Sequence, residues 1–353
     1  MSEVLISGES LHRYAADLLQ AAGAPGAHAG LVARSLVAAN LRGVDSHGVQ
    51  LLTFYLEQMR DGRIDPCACG MVRSESGAAL TYDGMNGFGQ VVADAACGHA
   101  VRLCREHGAG VVSVRESNHF GAAAYWAQTI SSQGFLAIAM CNASPSVAPW
   151  QGKDPRWGTN PICMSLPGPG EGGWLLDMAT TTVAMGKIYK AGLSGWPEIP
   201  AGWAMDNEGV PTTSTAAALS GLLMPLGGYK GSGLAMMVEI LCGVLSGGAI
   251  ASELGGLRVK KRPFRVSHFF LALDVARFMA PAEFYERVQR LVAMAKSSAP
   301  ARGYDEVLVA GEPEWRIEAV RSREGIPLSE GVWDALCRHA DRLGVAAPAI
   351  LSR

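Results

Sequence analysis

The apolar residues of this chain change period near Ala79, and one kind of secondary structure cannot satisfy both patterns. Before that point, Ser10 to Ala22 and His28 to Asn40 repeat apolar side chains every three or four residues, separated by Gly23, Pro25 and Gly26, so the stretch from 7 to 60 reads as helices. After it come short β-rich runs: Val111 to Val114, Phe135 to Cys141, Ile162 to Leu166, Trp174 to Met178 and Phe269 to Leu273. Helical stretches alternate with them, at Val91 to His107, Ala122 to Gln133, Gly233 to Ser246 and Pro281 to Lys296, with a last one from Ser329 to Leu343. The pattern predicts a mixed α/β fold (α+β), with a central sheet flanked by helices. Residues 73–280 are expected to form the central domain, and 1–72 a helical domain completed by C-terminal helices from about 281 to 353. Gly-rich breaks and long connections leave no regular βαβ repeat, so a doubly wound Rossmann order is not expected.

Composition narrows the function. With 49% hydrophobic and 18% charged residues among 353, the chain has apolar material for a large core or several domains, which excludes disorder as its main state. Thirty basic against 32 acidic side chains, with no long block of either sign, give no surface to track a phosphate backbone, and no nucleic-acid partner is expected. The most apolar stretch, Gly233 to Gly248, is short and interrupted by Glu239, so no membrane span is expected either. The N-terminus carries acidic residues early and lacks the order of a signal peptide, which points to the cytoplasm. The eight cysteines lie mostly in apolar runs and read as reduced core packing; Cys67-x-Cys69 lacks C-x-x-C spacing and reads as a loop with two small apolar side chains.

Chemistry concentrates in three places. Between Glu116 and Lys153 the notable ionisable group is His119, a setting that places an imidazole in a core or a cleft. A second uncharged span ends in Gly227-Gly-Tyr-Lys230-Gly-Ser-Gly233, where glycines, one cation and the following helix suit an anion such as a diphosphate; a plain turn before a buried helix is the alternative. Arg42-Gly-Val-Asp-Ser-His47-Gly48 packs acid, hydroxyl and imidazole between two glycines. His47 can exchange a proton near neutral pH, with Ser46 or Asp45 fixing its tautomer. Ser46 and His47 are adjacent and are not expected to bond each other as nucleophile and base, and a Gly-x-Ser-x-Gly elbow is missing. A metal site from His47, His119 and Asp177 is a further alternative without a supporting short spacing. A literal Gly-x-Gly-x-x-Gly at Gly168, Gly170 and Gly173 precedes a strand-like run and opens no helix, so it reads as a hairpin turn.

Taken in order, Arg42 to Gly48, Asn118-His119-Phe120-Gly121-Ala122, Gly158-Thr-Asn-Pro161, Leu176-Asp-Met-Ala-Thr180, Gly186-Lys187-Ile188 and Gly228-Tyr-Lys-Gly231 resemble the type 2 malate/L-lactate dehydrogenase family. Val307 to Glu314 and Gly325 to Ser329 extend the resemblance over nearly the whole chain. It implies an oxidoreductase dependent on NAD or NADP, without a metal, having a non-Rossmann nicotinamide-binding domain and working as a homodimer with the site near the partner subunit. The substrates implied are small 2-hydroxy or 2-oxo acids, with cyclic imino acids and a diketo sugar acid as alternatives. It further implies that His47 is the general acid/base, Ser46 its relay neighbour, His119 a second imidazole beside the nicotinamide, and Thr159 a substrate contact. Cofactor contacts are implied at His119, Phe120, Gly121, Ala122 and Ala123, at Asp177, Met178 and Ala179, at Lys230, and at Gly311 and Glu312.

Two positions shape the substrate. Many members carry an arginine four residues after the motif histidine, and this chain has Leu51; Tyr55, four residues on, shares that helical face and is expected to line the pocket. Lys187 stands where imine-reducing members resemble an acid, and so resembles the alcohol/ketone branch as a catalytic residue. A non-catalytic binding protein of the same fold is the competing class, and a metal-dependent hydrolase a third. The retained pair His47 and His119 speaks against decay, and metal analysis would test the hydrolase.

Overall fold

A computed structural model describes residues 3–168, 174–256 and 262–352. Strand β1 (Glu3–Ile6) leads into helices α1 (Gly8–Ala21), α2 (Gly26–Leu41) and α3 (Leu52–Arg60), with 3-10 turns at Asp45–His47 and Val49–Leu51 between the last two. The centre follows as β2 (Met71–Ser76), β3 (Ala79–Asp83), α4 (Gly89–His107), β4 (Ala109–Ser117), α5 (Ala123–Ser131), β5 (Leu136–Cys141), β6 (Ile162–Ser165) and β7 (Leu175–Met178). A small lobe, α6 (Met185–Leu193), β8 (Ala204–Met205), β9 (Pro211–Thr212), α7 (Thr215–Ser220) and β10 (Leu222–Leu223), precedes α8 (Tyr229–Glu239), which runs on into a π turn at Ile240–Val244. Strand β11 (Val266–Leu273), α9 (Pro281–Lys296), α10 (Glu312–Glu324), β12 (Ile326–Ser329) and α11 (Glu330–Leu343) complete the chain.

The seven-stranded sheet has the order β2-β3-β4-β11-β5-β6-β7, so the architecture is mixed, with a central sheet flanked by helices. The alternation of strands and helices would favour parallel neighbours, yet among the described strands of this sheet only β3 and β4 pair in parallel; the late strand β11 inserts antiparallel between β4 and β5. Both faces of the inner strands are covered, which is why β11 reads Val-Ser-His-Phe-Phe-Leu-Ala-Leu without alternation. On one face Val112, Ala139 and Phe270 pack with Ala96 and Ala100 of α4 and Trp126 of α5. On the other, Met140 and Phe269 meet Val238 of α8 and Cys242 of the π turn. Edge strand β2 is exposed at every residue and carries Arg73 and Glu75, as an edge that resists pairing with another chain should.

A separate core gathers α1, α2 and α3, where Leu11, Leu18, Val32 and Leu36 pack with Ile326 of β12 and Trp333 and Leu336 of α11. Strand β12 pairs antiparallel with β1, which ties the C-terminal helix to the N-terminal helices. The antiparallel pair β6 and β7 is a hairpin, but part of the Gly-x-Gly-x-x-Gly in its connection lies outside the described residues. Among the described residues no helix is long and apolar enough to cross a membrane.

Candidate active site

His47 sits where the helical core meets the sheet. Helix α2 stops at Leu41, and a tight turn follows because Asn40 and Arg321 hold Asp45: Asn40 Nδ2 donates to Oδ1 at 2.6 Å, and Arg321 Nη1 and Nη2 donate to Oδ1 and Oδ2 at 2.7 and 3.0 Å. Asn40 Oδ1 also accepts the Val49 N–H at 2.8 Å, so one amide ties both 3-10 turns to α2. Of the two residues expected to fix His47, Asp45 is therefore engaged elsewhere, and Ser46 takes that place with Oγ 3.0 Å from His47 Nδ1. This corrects the expectation that neighbours could not bond directly. In a 3-10 turn the two side chains project from the same tight curve and the hydroxyl folds back onto the ring.

His119 arrives from the other side, on the turn between β4 and α5. Its ring stacks on that of His47, with centroids 5.7 Å apart and planes 23° apart. The turn is fixed through Asn118, whose Nδ2 donates to the carbonyls of Asn86 and Gly87 at 3.0 and 2.8 Å. Tyr55, fully buried on α3, places Oη 2.8 Å from His119 Nδ1, and Gln90 Nε2 donates to that same Oη at 3.0 Å. Because the amide donates to the phenol oxygen, the phenol's own proton is free to go to Nδ1; the Gly121 N–H also points at Nδ1, at 3.3 Å. With Nδ1 accepting twice, the neutral ring carries its proton on Nε2. Burial, then the neighbouring His47 and His268, push the His119 pKa down to about 3, so the ring is neutral near pH 7. Burial also lowers His47 from its ordinary range and raises the Tyr55 phenol far above its own.

Most of the other expected residues lie on β7 or in segments bonded or packed to its two ends. Asp177, which keeps a solvent-facing side, accepts the Ala124 N–H at the start of α5 at 2.9 Å; desolvation lifts its pKa against the pull of that N–H and of Arg42. Ala122 and Ala123 lie in the same turn with Phe120 and Gly121, while Met178 and Ala179 follow Asp177 and are partly buried. Thr159 offers its carbonyl to both the N–H and the Oγ1 of Thr180, at 2.9 and 3.0 Å. Thr180 in turn accepts the Leu226 N–H at 2.9 Å, which sets the Gly227-Gly228 turn beside it. That turn needs glycine, since φ is +58° and +67°, and it leads to the exposed Lys230 in the first turn of α8. Gly311, left-handed at φ 94°, caps α10 next to Leu175, and Glu312 pairs with Lys296. Gly186 brings α6 against the motif turn, a Cβ there standing 3.7 Å from Ser46 Cβ. Lys187 itself is exposed, and Leu51 packs partly into the helical core.

Two residues of this constellation, Gln90 and Arg321, stand in none of the motifs read from the sequence. Gln90 is a lone amide in the apolar start of α4, a signal that was there to be read, whereas Arg321 acts at a distance in sequence that no local pattern shows; Asn118 opens the motif that carries His119, but its bonds to Asn86 and Gly87 are not visible there. A cavity of about 350 Å³ opens beside the start of α5, lined by Arg42, Ala122, Ala124, Tyr125 and Glu318. Arg42 is 6% exposed and its Nε and Nη2 find no hydrogen-bond partner among the described residues. Among the described residues no three His, Cys, Asp or Glu side chains converge where they could hold a metal ion.

Comparison with known proteins places this arrangement. The family model described as malate/L-lactate dehydrogenase matches residues 6–337. Malate dehydrogenase of Pyrococcus abyssi is 36% identical over 350 residues, covering 97% of this chain and 96% of that protein. A (2R)-3-sulfolactate dehydrogenase (NADP(+)) of Chromohalobacter salexigens is 36% identical over 275 residues, 78% of this chain and 82% of that one. The solved malate dehydrogenase of Entamoeba histolytica superposes with a TM-score of 0.94 at 28% identity, over 99% of this chain and all of that one. The chain belongs to the malate/L-lactate dehydrogenase family.

Proposed function

We propose that this oxidoreductase moves a hydride between NAD or NADP and a small 2-hydroxy or 2-oxo acid, with His47 as the general acid/base. The observation that carries the reading is the division of labour between two stacked imidazoles. His119, pinned by Tyr55 and Gly121 at Nδ1, offers only an Nε2–H, a donor for a substrate oxygen. His47 has Nδ1 on Ser46, which leaves Nε2 to exchange a proton with the reacting oxygen. Lys187, on the Ser46 side, and the His119 N–H are the donors offered to a substrate carboxylate where Leu51 brings none. In the same reading Thr159, held to Thr180, is a substrate contact.

The residues present fit a dinucleotide. Small side chains and backbone at Phe120 to Ala123 and Met178 to Ala179, the Asp177 carboxylate, the Gly311-Glu312 cap and the Lys230 cation would hold it, and the cavity with the unpartnered Arg42 nitrogens adjoins them. When bound, the cofactor supplies or takes the hydride. In this reading the sheet is a non-Rossmann cofactor domain within 73–280, and the acid/base comes from the helical unit of residues 1–72 with the C-terminal helices. A homodimer belongs to the same proposal. Met236, Ile240, Val244 and Leu245 stand exposed along α8 and the π turn, an apolar face that a second subunit would cover, and light scattering would measure the mass.

Loss of reduced-nicotinamide absorbance tests the reaction, with NADH and NADPH in parallel against oxaloacetate, pyruvate, sulfopyruvate and a cyclic imine carboxylate. Turnover of an open-chain 2-oxo acid is expected; turnover of the imine alone overturns the reading of Lys187. The pH profile is fixed in sign. Reduction needs protonated His47, and burial lowers its pKa below the ordinary 6.5, so reductive kcat/KM should fall as pH rises through a value under 6.5 while the oxidative direction rises over the same window. A reductive profile flat from pH 5 to 8 would remove His47 from this role.

A further inference from the structure

Away from that site, the loop joining α3 to β2 carries two exposed cysteines, Cys67 and Cys69, and the fold brings a histidine from α2 to one of them. Cys69 Sγ lies 3.4 Å from His28 Nε2. The other ring nitrogen, Nδ1, is 2.7 Å from the Pro66 carbonyl, which can only accept, so Nδ1 carries a proton and donates it there. In the neutral ring the lone pair then belongs to Nε2 and faces the thiol. Nucleophile, base and a third group that orients the base stand in the order that activates a side chain for attack. The pair opens into a cleft of about 420 Å³ that Arg34, Tyr82 and Asp94 also line, so a small reagent can reach the sulfur. Tyr82 Oη donates to the Cys69 carbonyl at 2.7 Å, which fixes the loop; the thiol's other contact, to the Cys67 carbonyl, is longer at 3.8 Å than the one to His28. Cys67, two residues away and also exposed, has no imidazole within bonding distance among the described residues and so serves as an internal control.

We propose that Cys69 and His28 form a thiol-modification site that reacts with small electrophiles, hydroperoxides in particular. With hydrogen peroxide, as Cys69 sulfur attacks one peroxide oxygen, the S–H proton passes to His28 Nε2 and the O–O bond breaks. Sulfur is oxidised to a sulfenic acid, the departing oxygen is reduced to hydroxide, and that hydroxide takes the proton from His28 to leave water and the neutral ring. Oxidation of Cys69 would be felt near the catalytic turn, because the loop lies against it. The Asp65 N–H donates to the Asn86 carbonyl, Ala68 O lies 2.6 Å from where a Cβ on Gly87 would be, and Asn118 donates to both Asn86 and Gly87.

The test treats the full-length protein with limiting hydrogen peroxide and a sulfenic-acid trap, or with iodoacetamide, at pH 7, and reads each cysteine by peptide mass spectrometry. Cys69 should react faster than Cys67 by on the order of tenfold at least, a floor below the roughly 10²- to 10⁴-fold that a positioned base supplies in enclosed sites. His28→Gln, which keeps a polar side chain but cannot take the proton, should bring Cys69 down to the rate of Cys67, and an unchanged unfolding midpoint shows that the fold survives. Equal rates at the two cysteines in the unaltered chain, or a Cys69 rate indifferent to His28→Gln in a folded variant, overturns the proposal.

Discussion

His47→Asn is expected to lower kcat in both directions by about 10²- to 10⁴-fold, the share of a rate that a positioned acid/base supplies. Asparagine nearly preserves the volume and can still bond Ser46 Oγ, but it has no proton to exchange at neutral pH, so the loss isolates proton transfer from packing. Cofactor affinity, read by fluorescence titration of the reduced nicotinamide, should move by less than about threefold, because the proposed cofactor contacts lie in the α5, β7 and α8 turns and not in the motif turn. Tyr55→Phe provides the contrast. It removes the donor that fixes His119 as an Nε2–H tautomer and leaves the ring itself, and a loss of about tenfold to a hundredfold is expected, as for other groups that act through a neighbour. Should His47→Asn keep more than a tenth of the activity while Tyr55→Phe abolishes it, the acid/base role would pass to His119 and the assignment of the two rings would have to be reversed.

The fold's large periodic elements were legible because burial imposes them locally. Helices α1, α2, α4, α5, α9 and α11 lie within a few residues of where apolar spacing puts them, and the inner strands declare themselves as continuous apolar runs. What was not legible is what forms only at a distance. Edge strand β2 has no buried face to pattern it, and β11 reaches the middle of the sheet more than a hundred residues after its neighbour β5. The site divides the same way. The motif turns show their chemistry in sequence, yet the partner that fixes Asp45 is Arg321, 276 residues on, and the tautomer of His119 depends on Gln90, a residue with no local reason to be noticed except that it is polar among apolar neighbours. The Cys67-x-Cys69 spacing read as bland because its chemistry depends on His28, 41 residues before Cys69.

Gly89→Ala should be strongly destabilising and should also damage catalysis, although alanine is the better helix former by about 1 kcal/mol. Gly89 is the first residue of α4 and is buried. A Cβ on it would stand 2.3 Å from both the Asn118 and the His119 carbonyl oxygens, a distance no carbon keeps, and the obstacle is backbone that cannot rotate away. Either the start of α4 retreats, drawing Gln90 off Tyr55, or the His119 turn moves, opening its stack with His47. Overpacking of this kind costs roughly 1 to 3 kcal/mol or more, enough to outweigh the gain in helix propensity. A displacement near 1 Å at a catalytic group can cost on the order of a hundredfold in rate. Gly98→Ala is the matched control: it lies in the same helix with nothing within 4 Å of the new Cβ, so it should be neutral or slightly stabilising and leave turnover intact. Urea midpoints and kcat/KM measured on both variants separate propensity from close approach. If Gly89→Ala behaved like Gly98→Ala, the seating of His119 on the start of α4 would not be what holds the two imidazoles together.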